Sequence, residues 1–212
     1  MDQLRDYQEW HRHYDDPGSG LSWRLGRVQQ YVGSFLDHDP RPVRMLSLCS
    51  GDGRDLCDVL AGRPDSARVS ATFVELHPEI ARQARERAAA AGLSQVDVRT
   101  ADAGSTDAYA DAVPADLVLL VGIFGNISDE DVQRTVAAAP QLCARGATLI
   151  WSRGRHREDL NDQIREWFAD AGFVEVDYAT HDSSSRPALG AVRYQGEPQP
   201  LLPGQQLFTF LR

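Results

Sequence analysis

Short apolar runs alternate with amphipathic stretches along most of the chain. The runs predicted as strands span residues 45–49, 69–76, 96–100, 115–122, 147–152, 174–178 and 207–211. The stretches predicted as helices span residues 53–61, 78–91, 106–112, 128–144 and 159–171. The run ADLVLLVG at 115–122 is apolar throughout, as expected of a strand buried on both faces of a parallel sheet. The alternation predicts an α/β fold in which helices cover both faces of a parallel sheet, a three-layer αβα arrangement.

The C-terminal part departs from this alternation. The last two strand-like segments, at 174–178 and 207–211, have no long helical stretch between them. We therefore expect an antiparallel addition at one edge of the sheet, because parallel neighbours need a long crossover connection. The intervening segment, 183–204, is rich in Pro, Gly and Ser and is predicted as a linker.

The N-terminal part differs as well, because two helix-like stretches precede the first strand. The first covers residues 3–14, and the second follows the DDPGSG break. The second has one apolar face, made by Leu21, Leu25, Val28 and Phe35. Residues 1–38 are predicted to form a helical lid on a main domain of residues 39–212.

The overall charge limits the partners. The formal net charge is −9, which argues against nucleic acid, because phosphate binding relies on basic surfaces. The basic cluster at 153–157 is the exception, and it fits either a solvated loop or a holder of an anionic group. No apolar run approaches the roughly 18 residues that a membrane span needs, and the polar start lacks a signal-peptide core. A cytoplasmic protein without a membrane partner is expected.

Two residue counts exclude whole classes of chemistry. The chain contains no lysine, so all 22 of its Lys-plus-Arg residues are arginine. This excludes pyridoxal-phosphate enzymes, Walker A nucleotide-binding loops and Tyr-x-x-x-Lys dehydrogenases. The cysteines are Cys49, Cys57 and Cys143. They are too few and too scattered for a disulfide framework or a zinc site, so buried thiols are expected and no metal site is predicted.

The segment MLSLCSGDGRDL at 45–56 carries the first functional signal. Ligands of open parallel sheets bind at the carboxyl ends of the strands, where glycine lets them approach the backbone. Glu75 ends the second predicted strand, 22 residues after Gly53. That spacing is typical of a carboxylate that accepts hydrogen bonds from ribose hydroxyls. Together these features predict a nucleoside site, although a plain strand-to-helix turn and an exposed strand end would explain them separately.

The residues after the glycines narrow the choice of ligand. A dinucleotide site requires G-x-G-x-x-G, and the third glycine position holds Leu56. Asp55 places a carboxylate near the helix start, where it would repel a pyrophosphate. Asp52 and Asp55 suit a zwitterionic or cationic ligand, and S-adenosylmethionine, with a sulfonium, an ammonium and a carboxylate, fits.

The motifs LSLCSGDGRDL, VELHPEIARQAR, TADA and ADLVLLVGIFGNIS, in this order, resemble those of class I S-adenosylmethionine-dependent methyltransferases over roughly residues 43–180. The resemblance implies a Rossmann-like fold, S-adenosylmethionine as cofactor, and residues 39–212 as the methyltransferase domain. It implies that Glu75 holds the ribose, Leu76 lies beside the adenine and Asp102 binds the adenine amino group. The implied cofactor-binding residues are Ser50, Gly51, Asp52, Gly53, Asp55, Glu75, Leu76, Asp102, Ala103, Gly122, Ile123 and Phe124.

Two positions depart from the family pattern. Ser47 stands where the family often has an acid, and Cys49 replaces the first glycine. The cofactor ammonium then needs another acceptor, for which Asp55 or a carbonyl oxygen is expected. The loop after the fourth strand also lacks the Asn/Asp-Pro-Pro-aromatic motif that positions planar amino groups. A small-molecule acceptor is therefore expected, and the basic cluster at 153–157 favours an acidic one.

Methyl transfer needs little from the side chains, since alignment of two reactants supplies most of the catalysis. The candidates for catalytic residues near the predicted site are Tyr14, Asn126 and His156. Three alternatives stay open. The first is an enzyme that cyclises or cleaves the cofactor, the second is a non-catalytic nucleoside sensor or partner subunit, and the third, disfavoured, is an NAD-dependent oxidoreductase. A homodimer is also left open.

Overall fold

A computed structural model describes residue 16 and residues 18–155 and 159–211 of the chain. Within them the strands are β1 (Val43–Leu48), β2 (Val69–Glu75), β3 (Val96–Thr100), β4 (Ala115–Leu120), β5 (Cys143–Gly154), β6 (Phe173–Thr180) and β7 (Pro187–Tyr194). The α-helices are α1 (Gly20–His38), α2 (Arg54–Ala61), α3 (Pro78–Ala90), α4 (Asp129–Ala138) and α5 (Asn161–Asp170). Short 3₁₀ turns cover Ser66–Arg68, Thr106–Ala112 and Ala139–Gln141.

The seven strands form one sheet in the order β3-β2-β1-β4-β5-β7-β6. Strands β1 to β5 pair in parallel, and β7 pairs antiparallel with both β5 and β6. The strand order reverses between β1 and β4, which is where open α/β sheets open a ligand crevice at the strands' carboxyl ends. The predicted Rossmann-like α/β fold with an antiparallel addition at the C-terminal side is confirmed.

The sheet has a hydrophobic core on each face. Leu46, Leu48 and Val118 enter the core that α4 and α5 cover. Met45 and Leu117 enter the opposite core, which α1, α2 and α3 cover. Since neighbouring residues of β1 point to opposite faces, the sheet is buried on both sides, and the predicted three-layer αβα arrangement is present.

Helix α1 belongs to one of these outer layers. Val28, Val32 and Leu36 recur at the four-residue spacing of one helical face and are at most 1% exposed. They pack in the core with α2 and α3, so the described part of the predicted lid covers the sheet itself. The rest of the predicted lid, residues 1–15 and 17, lies outside the described residues, and its closing over the site stays a prediction.

The C-terminal strand is not where the sequence pattern predicted it. β7 occupies Pro187–Tyr194, inside the segment predicted as a linker, whereas residues 207–211 are not in a strand. Pro187 stands at the first strand position, where its missing N–H is tolerated. Gly190 pairs with Trp151 of β5, and a Cβ at Gly190 would lie 2.4 Å from the indole ring. Most of the Pro, Gly and Ser residues of 183–204 flank β7 rather than lie in it, so the composition indicates the turns beside the strand and conceals the strand itself.

The fourth predicted helix is also shorter than expected. It ends at Ala138, a 3₁₀ turn containing Pro140 follows, and β5 already begins at Cys143. Proline lacks the N–H that would continue the helix. Among the described residues, no helix combines the length and the apolar character that crossing a bilayer requires.

We expect Gly190→Ala to destabilise the fold by about 1–3 kcal/mol, because the added methyl group overlaps the Trp151 ring. Gly26→Ala is the matched control, since nothing lies within 4 Å of a Cβ there and the residue is inside helix α1. The control should be neutral or more stable by up to about 1 kcal/mol. Urea unfolding of the three proteins measures both effects, and equal midpoints for the two variants would contradict the packing described.

Candidate functional site

The glycine loop that follows β1 turns sharply towards α2. Cys49, Gly51 and Gly53 all have positive φ, at 54°, 58° and 75°. A Cβ at Gly53 would lie 2.7 Å from a ring carbon of Phe73, so glycine is required there for close packing as well as for its conformation. A Cβ at Gly51 would meet nothing within 4 Å. The loop is therefore packed on its inner side and open on its outer side, where a ligand could approach.

Glu75, at the end of β2, lies directly beside this loop. Its Oε2 accepts a hydrogen bond from the Gly51 N–H at 3.0 Å, and its Oε1 accepts one from the His77 N–H at 2.9 Å. A carboxylate has about four lone-pair sites, so both oxygens keep the capacity to accept from a ligand. The structure thus brings together the two features that predicted a nucleoside site.

The Asp52 carboxylate is held by the protein itself. It forms ion pairs with Arg54 at 2.6 Å and with Arg87 of α3 at 3.1 Å. The Asp52 side chain is only 8% exposed, so these contacts join the starting turn of α2 to α3. This corrects the expectation that the Asp52 charge attracts a cationic ligand, because two guanidinium groups already balance it.

Asp55 and Arg24 place opposite charges near the switch point between β1 and β4. Asp55 is in the first turn of α2 and is partly buried. Burial raises the pKa of its carboxyl to about 6, and the nearby Arg24 charge partly offsets that rise. The Arg24 guanidinium lies 3.6 Å from where a Cβ would stand on Gly122, at the end of β4. Helix α1 is fixed to the start of α2 by a hydrogen bond from Gln29 to the Arg54 carbonyl oxygen.

Asp102 and Leu76 mark the next part of the crevice. Strands β2 and β3 are paired at Glu75 and Thr100, so the residues that follow each strand are neighbours. Leu76 is 64% exposed, an unusual position for a large apolar side chain, and Asp102 is also exposed. Ala103 is buried in the core, and its contact with the cofactor stays a prediction. An apolar surface beside a carboxylate acceptor suits a flat base that carries an amino group.

The loop after β4 is held by hydrogen bonds within the protein. The Gly122 N–H donates to Ser152 Oγ at 2.9 Å, and Gly122 has a φ of 80°. Ile123 and Phe124 are fully buried in the ligand-free fold, and their contact with the cofactor stays a prediction. The Asn126 side-chain amide donates to the Gly122 carbonyl oxygen at 2.8 Å, so it closes the turn.

The remaining residues predicted near the site either form hydrogen bonds and ion pairs within the protein or lie outside the residues that the structure describes. Arg153 donates to the Phe124 carbonyl oxygen at 2.7 Å and pairs with Asp129. Arg155 donates to the His181 carbonyl oxygen at 2.9 Å and pairs with Asp182. Both guanidinium groups thus bind the protein's own oxygens. The catalytic candidates Tyr14 and His156 lie outside the described residues.

Two polar atoms at the crevice are buried without a partner. Ser50 Oγ and the Tyr109 hydroxyl have no hydrogen bond among the residues that the structure describes. Burial raises the pKa of the Tyr109 hydroxyl, and the nearby Asp102 charge raises it further. Orphaned polar atoms beside an open glycine loop fit a polar ligand that would complete their bonding. The residues present therefore suit a nucleoside that carries an amino-acid end.

Comparison with solved structures gives close agreement in fold. A magnesium protoporphyrin IX methyltransferase from Synechocystis PCC 6803, with bound S-adenosylmethionine, aligns over 91% of this chain and 92% of its own, with a TM-score of 0.69 and 15% identity. The chain has the fold of the class I methyltransferases. An O-methyltransferase family protein from Burkholderia thailandensis aligns over 91% of this chain and 62% of its own (TM-score 0.64, 17% identity).

A tRNA methyltransferase from B. subtilis aligns over 82% of this chain and 66% of its own, with a TM-score of 0.57 and 16% identity. No protein-family model and no curated protein sequence matches the chain. At these identities the likeness establishes the fold, and the chemistry has to be argued from the residues of the crevice.

Sequence reasoning missed two residues of this crevice, Arg24 and Gln206. Gln206 donates to Asp102 Oδ2 at 2.9 Å, although it lies 104 positions further along the chain. Neither residue belongs to a recognisable motif. Only the packing of α1 and of the C-terminal segment brings them to the strand ends.

We expect Asp55→Asn to stabilise the ligand-free fold at pH 7 by about 1–3 kcal/mol. The Asp55 carboxyl has a pKa of about 6 in the fold against an ordinary 3.8, so the folded state binds its proton more tightly than the unfolded chain. Its contribution therefore favours folding below pH 4 and is lost as the pH rises through 6.

Urea unfolding of the wild type and Asp55→Asn between pH 4 and 8 measures this difference. The gap between the two proteins should open as the pH passes from 4 to 6 and stay constant above. A gap that does not change with pH would contradict the raised pKa.

Proposed function

We propose that the protein is an S-adenosylmethionine-dependent methyltransferase that acts on a small-molecule acceptor. The observation that carries the proposal is the distribution of charge around one crevice. Glu75 accepts a hydrogen bond from the open glycine loop, and Asp55 and Arg24 carry opposite charges near the β1–β4 switch point. A nucleoside with a zwitterionic amino-acid end matches this distribution, and a pyrophosphate does not.

Each residue of the crevice binds a different part of the cofactor. Glu75 accepts from the ribose hydroxyls, and Asp102 accepts from the adenine amino group beside Leu76. Asp55 accepts from the ammonium, which the family's acid at the position of Ser47 would otherwise bind, and Arg24 binds the carboxylate. When bound, S-adenosylmethionine supplies a methyl group that its sulfonium activates for displacement. The protein's task is then to align the two reactants and exclude water.

The charge of the chain and the loop after β4 support a small acceptor. The net charge is −9, and Arg153 and Arg155 bind the protein's own oxygens, so the described basic cluster is a poor phosphate surface. The Asn126 amide is engaged in its turn. Tyr14 and His156 remain the candidates for a base, needed only where the acceptor must lose a proton. An acidic acceptor stays a prediction.

We expect Glu75→Gln to weaken binding of S-adenosylmethionine and S-adenosylhomocysteine by about 10- to 100-fold, because charge-assisted hydrogen bonds to the ribose contribute about 1.5–3 kcal/mol. Isothermal titration calorimetry measures the affinities, with NAD as a third ligand. Glu79→Gln is the matched control, since this exposed carboxylate of α3 pairs with Arg82. Tight NAD binding, or unchanged affinity in Glu75→Gln, would show that the ligand or the pocket is wrong.

We expect Arg24→Gln to weaken the binding of S-adenosylhomocysteine by about tenfold and to leave the affinity for methylthioadenosine unchanged. The reason is that methylthioadenosine lacks the amino-acid end that Arg24 binds. Arg27→Gln is the control from the same helix, since Arg27 is paired with Asp177 on β6. The same titrations provide the measurement. A parallel loss for both ligands would mean that Arg24 supports the fold rather than the carboxylate.

Product analysis separates methyl transfer from its alternatives. Incubation with S-adenosylmethionine and a panel of small acceptors should release S-adenosylhomocysteine. Release of methylthioadenosine would instead indicate an enzyme that cleaves or cyclises the cofactor. Tight binding without turnover of any acceptor would favour a sensor or partner subunit.

A further inference from the structure

The segment at 202–211, called here the C-terminal strap, lies across two loops of the crevice. On the β3 side, the Leu207 N–H donates to the Gly104 carbonyl oxygen at 2.8 Å, and the Thr106 N–H donates to the Gln205 carbonyl oxygen at 3.0 Å. On the β4 side, the Leu211 N–H donates to the Asn126 carbonyl oxygen at 2.9 Å. The strap therefore joins the loop that carries Asp102 to the loop that carries Gly122.

Buried side chains hold the strap in place in addition to these backbone hydrogen bonds. Leu207 and Phe208 are each 1% exposed and pack into the core that α4 and α5 cover. The Thr209 N–H donates to the Asp131 carboxylate at 3.0 Å. A segment held by buried side chains and backbone bonds keeps one position, so its polar side chains can direct their neighbours.

Gln206 is the strap residue that reaches the crevice. Its Nε2 donates to Asp102 Oδ2 at 2.9 Å and to the Phe208 carbonyl oxygen at 2.8 Å. Both amide hydrogens are therefore used. The other Asp102 oxygen, Oδ1, accepts from the Gly104 N–H at 2.8 Å. The Asp102 carboxylate is consequently fixed at both oxygens, although it lies at an exposed strand end.

Gly104 shows how closely the strap approaches. A Cβ at Gly104 would lie 2.2 Å from the Phe208 carbonyl oxygen and 2.5 Å from Gln206 Nε2. Any other residue would push the strap away from the β3 loop. The absence of a side chain at Gly104 is thus what allows Gln206 to reach Asp102.

We propose that Gln206 is a positioning residue that orients Asp102 to accept from the amino group of an adenine base, so that the C-terminal strap sets base specificity. The inference rests on the proposed function. Each Asp102 oxygen uses one lone pair on the protein and keeps another for the ligand. A carboxylate offers only acceptor oxygens, so it selects a base with an amino group over one with a carbonyl oxygen there.

The test compares two ligands that differ at this one group. S-adenosylhomocysteine carries adenine, and S-inosylhomocysteine carries hypoxanthine, in which an oxygen replaces the amino group. Calorimetric titration of both gives the base preference as a ratio of affinities. The proteins are the wild type, Gln206→Ala, Gln206→Glu and Gln205→Ala. Gln206→Glu keeps the side-chain length but removes the N–H donors, and Gln205→Ala alters the neighbouring side chain while keeping the backbone bonds.

The wild type should prefer the adenine ligand by at least tenfold, as expected for a charge-assisted hydrogen bond. Gln206→Ala and Gln206→Glu should each lower that preference about fivefold or more, and Gln205→Ala should leave it unchanged. If the strap had a merely structural role, the Gln206 variants would lower the melting temperature or weaken the binding of both ligands equally. Either result, with an unchanged ratio of the two affinities, would overturn the inference.

The outcomes also separate this inference from the proposed function. If the wild type binds neither ligand, the proposed function fails. If the wild type binds both ligands equally well, the crevice still binds the nucleoside. Asp102 then does not discriminate between the two bases, and the role of Gln206 is refuted.

Discussion

The crevice is built around the hydrogen bond from the Gly51 N–H to the Glu75 carboxylate, next to a second from the Ser50 N–H to the Val74 carbonyl oxygen. This bond ties the turn after β1 to the end of β2, the two neighbouring strands at the centre of the parallel sheet. The turn can reach Glu75 only because Cys49, Gly51 and Gly53 take left-handed backbone angles. For cysteine that conformation costs on the order of 1–2 kcal/mol, and the packing of Gly53 against Phe73 stabilises the turn against it.

Some of the charged side chains near this bond are paired within the protein, and others are proposed to bind a ligand. Asp52, Arg153 and Arg155 look equally suited to a ligand in the sequence, yet each is paired within the protein. Asp55 is different, because burial raises its pKa and makes its ionised form costly in the ligand-free fold. A partly buried carboxylate with a raised pKa in a crevice is typical of a functional site.

The sequence was sufficient for the features that local pattern and spacing determine. The strand and helix alternation predicted the layered sheet, and the spacing of Gly53 and Glu75 predicted that loop and carboxylate meet. It was insufficient where one element depends on a distant partner. β7 was predicted as part of a linker because Pro, Gly and Ser residues flank it, and nothing in the local composition reveals that Gly190 makes room for the Trp151 ring. Arg24 and Gln206 reach the strand ends only through tertiary packing, and the inward turn of Asp52 depends on Arg87 from another helix.

The partly buried position of Asp55 also has a thermodynamic consequence for the binding of a cationic ligand. A cation placed beside this carboxyl would favour its ionised form, so near pH 6, where about half of the carboxyls carry a proton, binding of such a ligand would release a fraction of a proton to the solvent. Ligand uptake is then coupled to the acidity of the medium. The heat of association will include the ionisation enthalpy of whichever buffer receives that proton.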